Sequence, residues 1–108
     1  MEVRSEAELA DFLAKHERVA ALFYATWCPF CRAFLPVFRA AKLEGWDWLE
    51  VVIDEEDNPL WEKYSISIVP TVLFFERGKI LVRLDGKAGR GLSSEELAAA
   101  MEELKRKV

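Results

Sequence analysis

The sequence contains no glutamine, and Asn58 is its only asparagine. Glu, Lys and Arg are abundant instead, a depletion of thermolabile amides that points toward a thermophilic source. No run approaches the about 20 consecutive apolar residues that a bilayer-spanning helix needs. The opening stretch Met1-Glu2-Val3-Arg4-Ser5-Glu6 has mixed charge and no apolar segment, so no secretory signal is read there and the expected compartment is cytoplasmic. Positive charge is in deficit. Fifteen Lys and Arg stand against 19 Asp and Glu, giving a net charge of −4 and a pI near 5.1. With no basic face, nucleic acid is not an expected partner. Histidine and cysteine are scarce as well. His16 with Cys28 and Cys31 falls short of the four ligands that zinc or an iron–sulfur cluster normally takes, so no metal and no other cofactor is expected. His16, inside Lys-His-Glu at the end of a predicted helix, reads as a solvated helix-end residue.

What is present is a balance of 52% apolar and 31% charged residues in 108 positions, the composition of a single globular domain spanning 1–108. A chain of this length buries roughly two-thirds of its unfolded surface. Acidic residues gather between Glu44 and Asp57 and read as a solvated edge. Ser5 with Glu8 forms a capping-box pattern that opens a helix over Glu6 to Glu17, with Leu9, Phe12 and Leu13 as its apolar face. The unbroken apolar run Val19 to Tyr24 predicts a central strand covered on both faces. A second helix is predicted from Pro29 to Leu43, kinked at Pro36. A strand over Trp48 to Asp54 and a short helix opened by Asn58-Pro59 come next. Thr71 to Glu76 and Lys79 to Leu84 are strands joined by a tight turn at Arg77-Gly78. Ser93 or Ser94 caps a last helix, Glu95 to Lys107. This order predicts an α/β fold: a mostly parallel central sheet with an antiparallel hairpin and helices on both faces.

The two cysteines stand as Cys28-Pro29-Phe30-Cys31, where the central strand gives way to the second helix. A thiol at a helix start faces unpaired backbone N–H groups and the positive end of the helix dipole, both of which favour thiolate over thiol. Cys28 is therefore the expected nucleophile, and Cys31 the thiol that resolves the mixed disulfide. The motif lies outside the carboxyl end of the sheet, where open α/β sheets place their sites. Trp27, Pro29 and Phe30 flank a site that a protein disulfide must reach, and read as an apolar rim that docks substrate. Trp46, Trp48 and Trp61 read as packing.

With Trp27-Cys28-Pro29-Phe30-Cys31, Pro36, Asp54, Asn58-Pro59, Ile68-Val69-Pro70-Thr71, Phe74 to Gly78 and Gly86, the chain resembles the thioredoxin family over its whole length. The resemblance implies a thioredoxin fold in one thioredoxin-like domain, and a cis Pro70 lying against the cysteines. It also implies that the Val69 backbone pairs with an extended substrate, with Gly86 beside it. The implied activity is thiol–disulfide exchange with protein disulfides, as a thioredoxin-like reductant recycled by a reductase or dithiol partner. A disulfide oxidase or isomerase, a glutaredoxin-like protein and a non-catalytic binding module are the alternatives. A monomer is expected.

Three positions depart from the family pattern. Pro29-Phe30 stands where Gly-Pro is usual, Leu22 replaces a buried acid, and Glu50 replaces a lysine on the neighbouring strand. Residues 50, 52 and 54 share one strand face. Glu50 is thus expected to point to the underside of the Cys28–Cys31 site and, desolvated by Leu22, to serve as a general base of raised pKa.

Overall fold

The computed structural model describes residues 1–107; Val108, the end of the expected domain, lies outside the described residues. In chain order these form β1 (Glu2–Val3), α1 (Glu6–Lys15), β2 (Arg18–Tyr24), α2 (Pro29–Ala40), β3 (Asp47–Val52), α3 (Pro59–Lys63), β4 (Thr71–Glu76), β5 (Lys79–Leu84) and α4 (Ser94–Lys107). No described helix is long and apolar enough to cross a membrane.

Local chemistry sets most boundaries. Ser5 Oγ accepts the Glu8 N–H at 3.2 Å, while the Glu8 carboxylate accepts the N–H of Arg4 at 2.8 Å, one residue earlier than a standard capping box. α1 stops at Lys15, two residues short of Glu17. There His16 leaves the helix, stacks on Phe12 with ring centroids 3.9 Å apart, and donates from Nδ1 to the Phe12 carbonyl. α2 ends at Ala40 rather than Leu43, because Ala41 turns to extended backbone (φ −76°, ψ 146°), its N–H still capping the Val37 and Phe38 carbonyls. It runs through Pro36, which offers no N–H to the carbonyl of Arg32. β3 ends at Val52, leaving Asp54 in the following turn. The β4–β5 turn has positive φ at both Arg77 (51°) and Gly78 (79°), as a two-residue hairpin turn requires.

The five strands lie in the order β1-β3-β2-β4-β5. β2 pairs parallel with β3 and antiparallel with β4; β1–β3 is parallel and β4–β5 antiparallel, so the sheet is mixed. Alternation along the strands sends side chains to two covered faces. On one, Phe23 and Phe75 each meet Tyr64, next to α3, at 5.6 Å between ring centroids. On the other, Phe74 meets Trp46 edge-on, and Trp48 stacks on Phe38 of α2. Val19 through Phe23 are fully buried between these layers. Each large apolar side chain removed from water in this way contributes about 1.5–3 kcal/mol. The consequence for function is positional: β2 is immobilised on both faces, and its end delivers the chain directly into α2.

Candidate active site

Cys28 is the N-cap of α2. Its Sγ accepts the Cys31 N–H at 3.2 Å, one of the helix donors that would otherwise lack a partner. The Cys28 N–H is tied to the Ala25 carbonyl at 3.2 Å and its own carbonyl takes the Arg32 N–H at 3.1 Å, so the reactive turn is fixed at both ends. Both thiols are free. Both cysteines are buried, but Cys28 keeps 5% of its surface exposed and Cys31 none, so Cys28 is the more accessible of the two. Burial pushes the Cys31 thiol up to about 12, reinforced by the hydrogen bond and charge of Cys28 and, last, by the charge of Asp54.

The Val69–Pro70 peptide bond is cis, and Cys28 Sγ makes a long hydrogen bond of 3.7 Å to the Val69 carbonyl. Thr71 braces that loop, its hydroxyl donating to the Ile68 carbonyl at 2.7 Å and accepting the Gly86 N–H at 3.5 Å. A Cβ on Gly86 would run into the Pro70 carbonyl oxygen, so glycine is what allows the two segments to approach. Trp27 and Phe30 are 55% and 41% exposed beside the cysteines, apolar surface left in water at the mouth of the site.

Three participants escaped the reading of the sequence. Thr26 is clamped to Asp54, whose two carboxylate oxygens accept its N–H and its hydroxyl, each at 2.7 Å. The Trp27 indole N–H donates to the Asp54 carbonyl at 2.9 Å. Gly91, with φ of 76°, lies so close to Phe30 that a Cβ there would fall 2.8 Å from the Phe30 Cβ. A threonine just before Trp-Cys was the available signal for the first; nothing local marks Gly91. Arg39 is the third.

Arg39 overturns the expectation for Glu50. Its guanidinium takes both Glu50 carboxylate oxygens at 2.8 Å each. Arg39 lies eight residues beyond Cys31 along α2, about 12 Å of helix at 1.5 Å per residue. The carboxylate is thus drawn toward the far end of the helix. Arg39 also holds the Glu50 carboxyl below its ordinary range, outweighing the opposite push of partial burial. That is the reverse of the raised pKa a general base near neutrality would need. Leu22, fully buried, stands where the family places its acid, and supplies no proton acceptor.

The sequence matches the family model described as Thioredoxin over residues 1–103. It is 34% identical over 79 residues to a thioredoxin of Mycoplasmoides gallisepticum, covering 72% of this chain and 79% of that protein. It is 40% identical over 79 residues to protein disulfide isomerase-like 1-4 of Oryza sativa, covering 68% of this chain but only 14% of that longer protein. In three dimensions it superposes on a mutant thioredoxin of Halobacterium salinarum with a TM-score of 0.76 at 27% identity, covering 95% of this chain and 88% of the other. A dithiol at a helix start against a cis-proline loop, in a chain that matches one family model almost end to end, places this protein in the thioredoxin family.

Proposed function

We propose that this chain is a reductant of protein disulfides, working through Cys28 and Cys31 without a cofactor. The observation that supports it is the pairing of Cys28, which caps α2 and keeps a sliver of exposed surface, with Cys31, which keeps none. The Cys28 thiolate attacks one sulfur of the substrate disulfide, forming a mixed disulfide and releasing the other sulfur as a thiolate that takes up a proton. Cys31 then gives up its proton and attacks Cys28 Sγ. The Cys28–Cys31 bond forms and the second substrate thiol leaves. Two electrons pass to the substrate, and the oxidised protein must be returned by a reductase or a dithiol donor. Val69 offers the backbone edge for an extended substrate; Trp27, Pro29, Phe30 and Gly86 shape the surface around it. A lone exchanging pair of cysteines fits a reducing compartment such as the cytoplasm.

A second reading, isomerase or oxidant of disulfides, is favoured by one departure. With Leu22 in place of an acid and Cys31 pushed up to about 12, the resolving step lacks a buried base and the mixed disulfide should persist. Both readings are tested by following insulin reduction with dithiothreitol and, in parallel, reactivation of a scrambled disulfide protein. Fast insulin reduction with weak reactivation supports the reductant. The opposite pattern supports the isomerase, and inactivity in both assays would leave a binding module.

A further inference from the structure

Next to Trp27, the residue before Cys28, lies a cleft of about 320 Å³ lined by Trp27, Glu56 and Trp61. Both indoles are anchored on consecutive carbonyls of one turn: Trp27 donates to Asp54 at 2.9 Å and Trp61 to Glu55 at 3.0 Å. With their N–H groups engaged, the rings offer the cleft carbon surface and no free donor. The same turn carries Glu56, which is exposed and has no ion-pair partner among the described residues. From Ile53 to Glu62 the chain holds no Lys or Arg. The next cation along the sequence, Lys63, is already paired with Glu6 at 2.8 Å, and the Arg32 guanidinium donates to the Thr26 carbonyl at 3.3 Å. Trp61, read from sequence as packing alone, therefore also forms a wall of this cleft.

We infer that Trp27, Trp61 and Glu56 form a side pocket of the exchange site that accepts an arginine of the substrate protein near its disulfide. This deepens the redox reading above and rests on it. A guanidinium is flat and cationic: its plane stacks on an indole face while its N–H groups reach a carboxylate. Lysine would satisfy the charge but not the plane, and an aliphatic side chain would leave Glu56 beside apolar surface. Trp27 immediately precedes Cys28, so an arginine seated here lies within a few residues of the disulfide under attack. The pocket would thus select which disulfides are met, leaving the exchange chemistry to the sulfurs.

The test uses the full-length reduced protein and peptide disulfides carrying arginine at each of the three positions on either side of the attacked cysteine in turn. Matched peptides carry citrulline, which keeps the shape and removes the charge. At its best position arginine should raise kcat/KM roughly fivefold over citrulline, an advantage that shrinks as ionic strength rises. Glu56→Gln should cut the ratio, and Trp61→Leu should cut it further. Glu44→Gln, a carboxylate in another loop, should leave it as it is. Because Trp61 is partly buried, the Glu56 variant is the one that decides if the Trp61 variant misfolds. A ratio of one at every position, or a ratio that survives Glu56→Gln, would overturn the pocket while leaving the redox reading intact. No turnover of any peptide would overturn the redox reading itself.

Discussion

Leu22 and Glu50 are cross-strand partners in the parallel register of β2 and β3, so their side chains leave the sheet on the same face. One is fully apolar and buried; the other turns its carboxylate to Arg39. The face beneath α2 thus contains an acid committed to an ion pair next to a position that holds none.

Replacing Leu22 by Asp should shorten the life of the mixed disulfide near pH 7, because a buried carboxylate of raised pKa would accept the Cys31 proton. It should also lower stability by several kcal/mol, the cost of burying an ionisable group there. Quenched-flow trapping of the intermediate measures the first effect. A lifetime equal to the wild type would show that the proton leaves by another route.

Glu50→Gln should leave the pH profile of exchange unchanged between pH 6 and 9 and lower stability by about 0.5–1 kcal/mol at pH 7. Since Arg39 depresses the folded-state pKa of Glu50 below its ordinary 4.5, the pair stabilises the fold above that pH, and the contribution fades as acid protonates the carboxylate. Wild-type and variant denaturation curves should therefore converge at strongly acidic pH. A difference that persisted undiminished there would assign the loss to packing.

Cys28→Ser should abolish exchange, whereas Cys31→Ser should accumulate mixed disulfides visible by mass spectrometry. Cys28 keeps a small exposed fraction and Cys31 keeps none, so the first is the one a substrate can reach. Accumulation by the Cys28 variant instead would reverse the two roles.

Gly86→Ala should reduce kcat/KM for a peptide disulfide about tenfold and stability by about 1–3 kcal/mol, since the new methyl must displace the Pro70 carbonyl and with it Val69. Wild-type values for both would mean that the loop yields without affecting the site.

Elements whose signals are local were legible. The run Val19 to Tyr24, the hairpin strands and the Cys28 helix start all came from adjacent residues, and each stands within a residue of its expected place. Helix ends were less so, because an apolar residue such as Leu43 packs on the core equally well from a loop as from another turn of α2. Pairings between distant elements left no local trace. Glu50 and Arg39 are eleven positions apart on different elements, and nothing in either neighbourhood announces that they meet. The antiparallel entry of β4 beside β2 is of the same kind.

The strand order has a further consequence, for aggregation. An open sheet edge recruits the exposed strands of other chains. Here one edge, β1, is two residues long. The other, β5, carries Lys79 and Arg83, and the Lys107 ammonium occupies its Leu81 carbonyl at 3.4 Å. Both margins resist zippering, so a chain that meets this sheet edge-on finds no long run of unpaired backbone to extend.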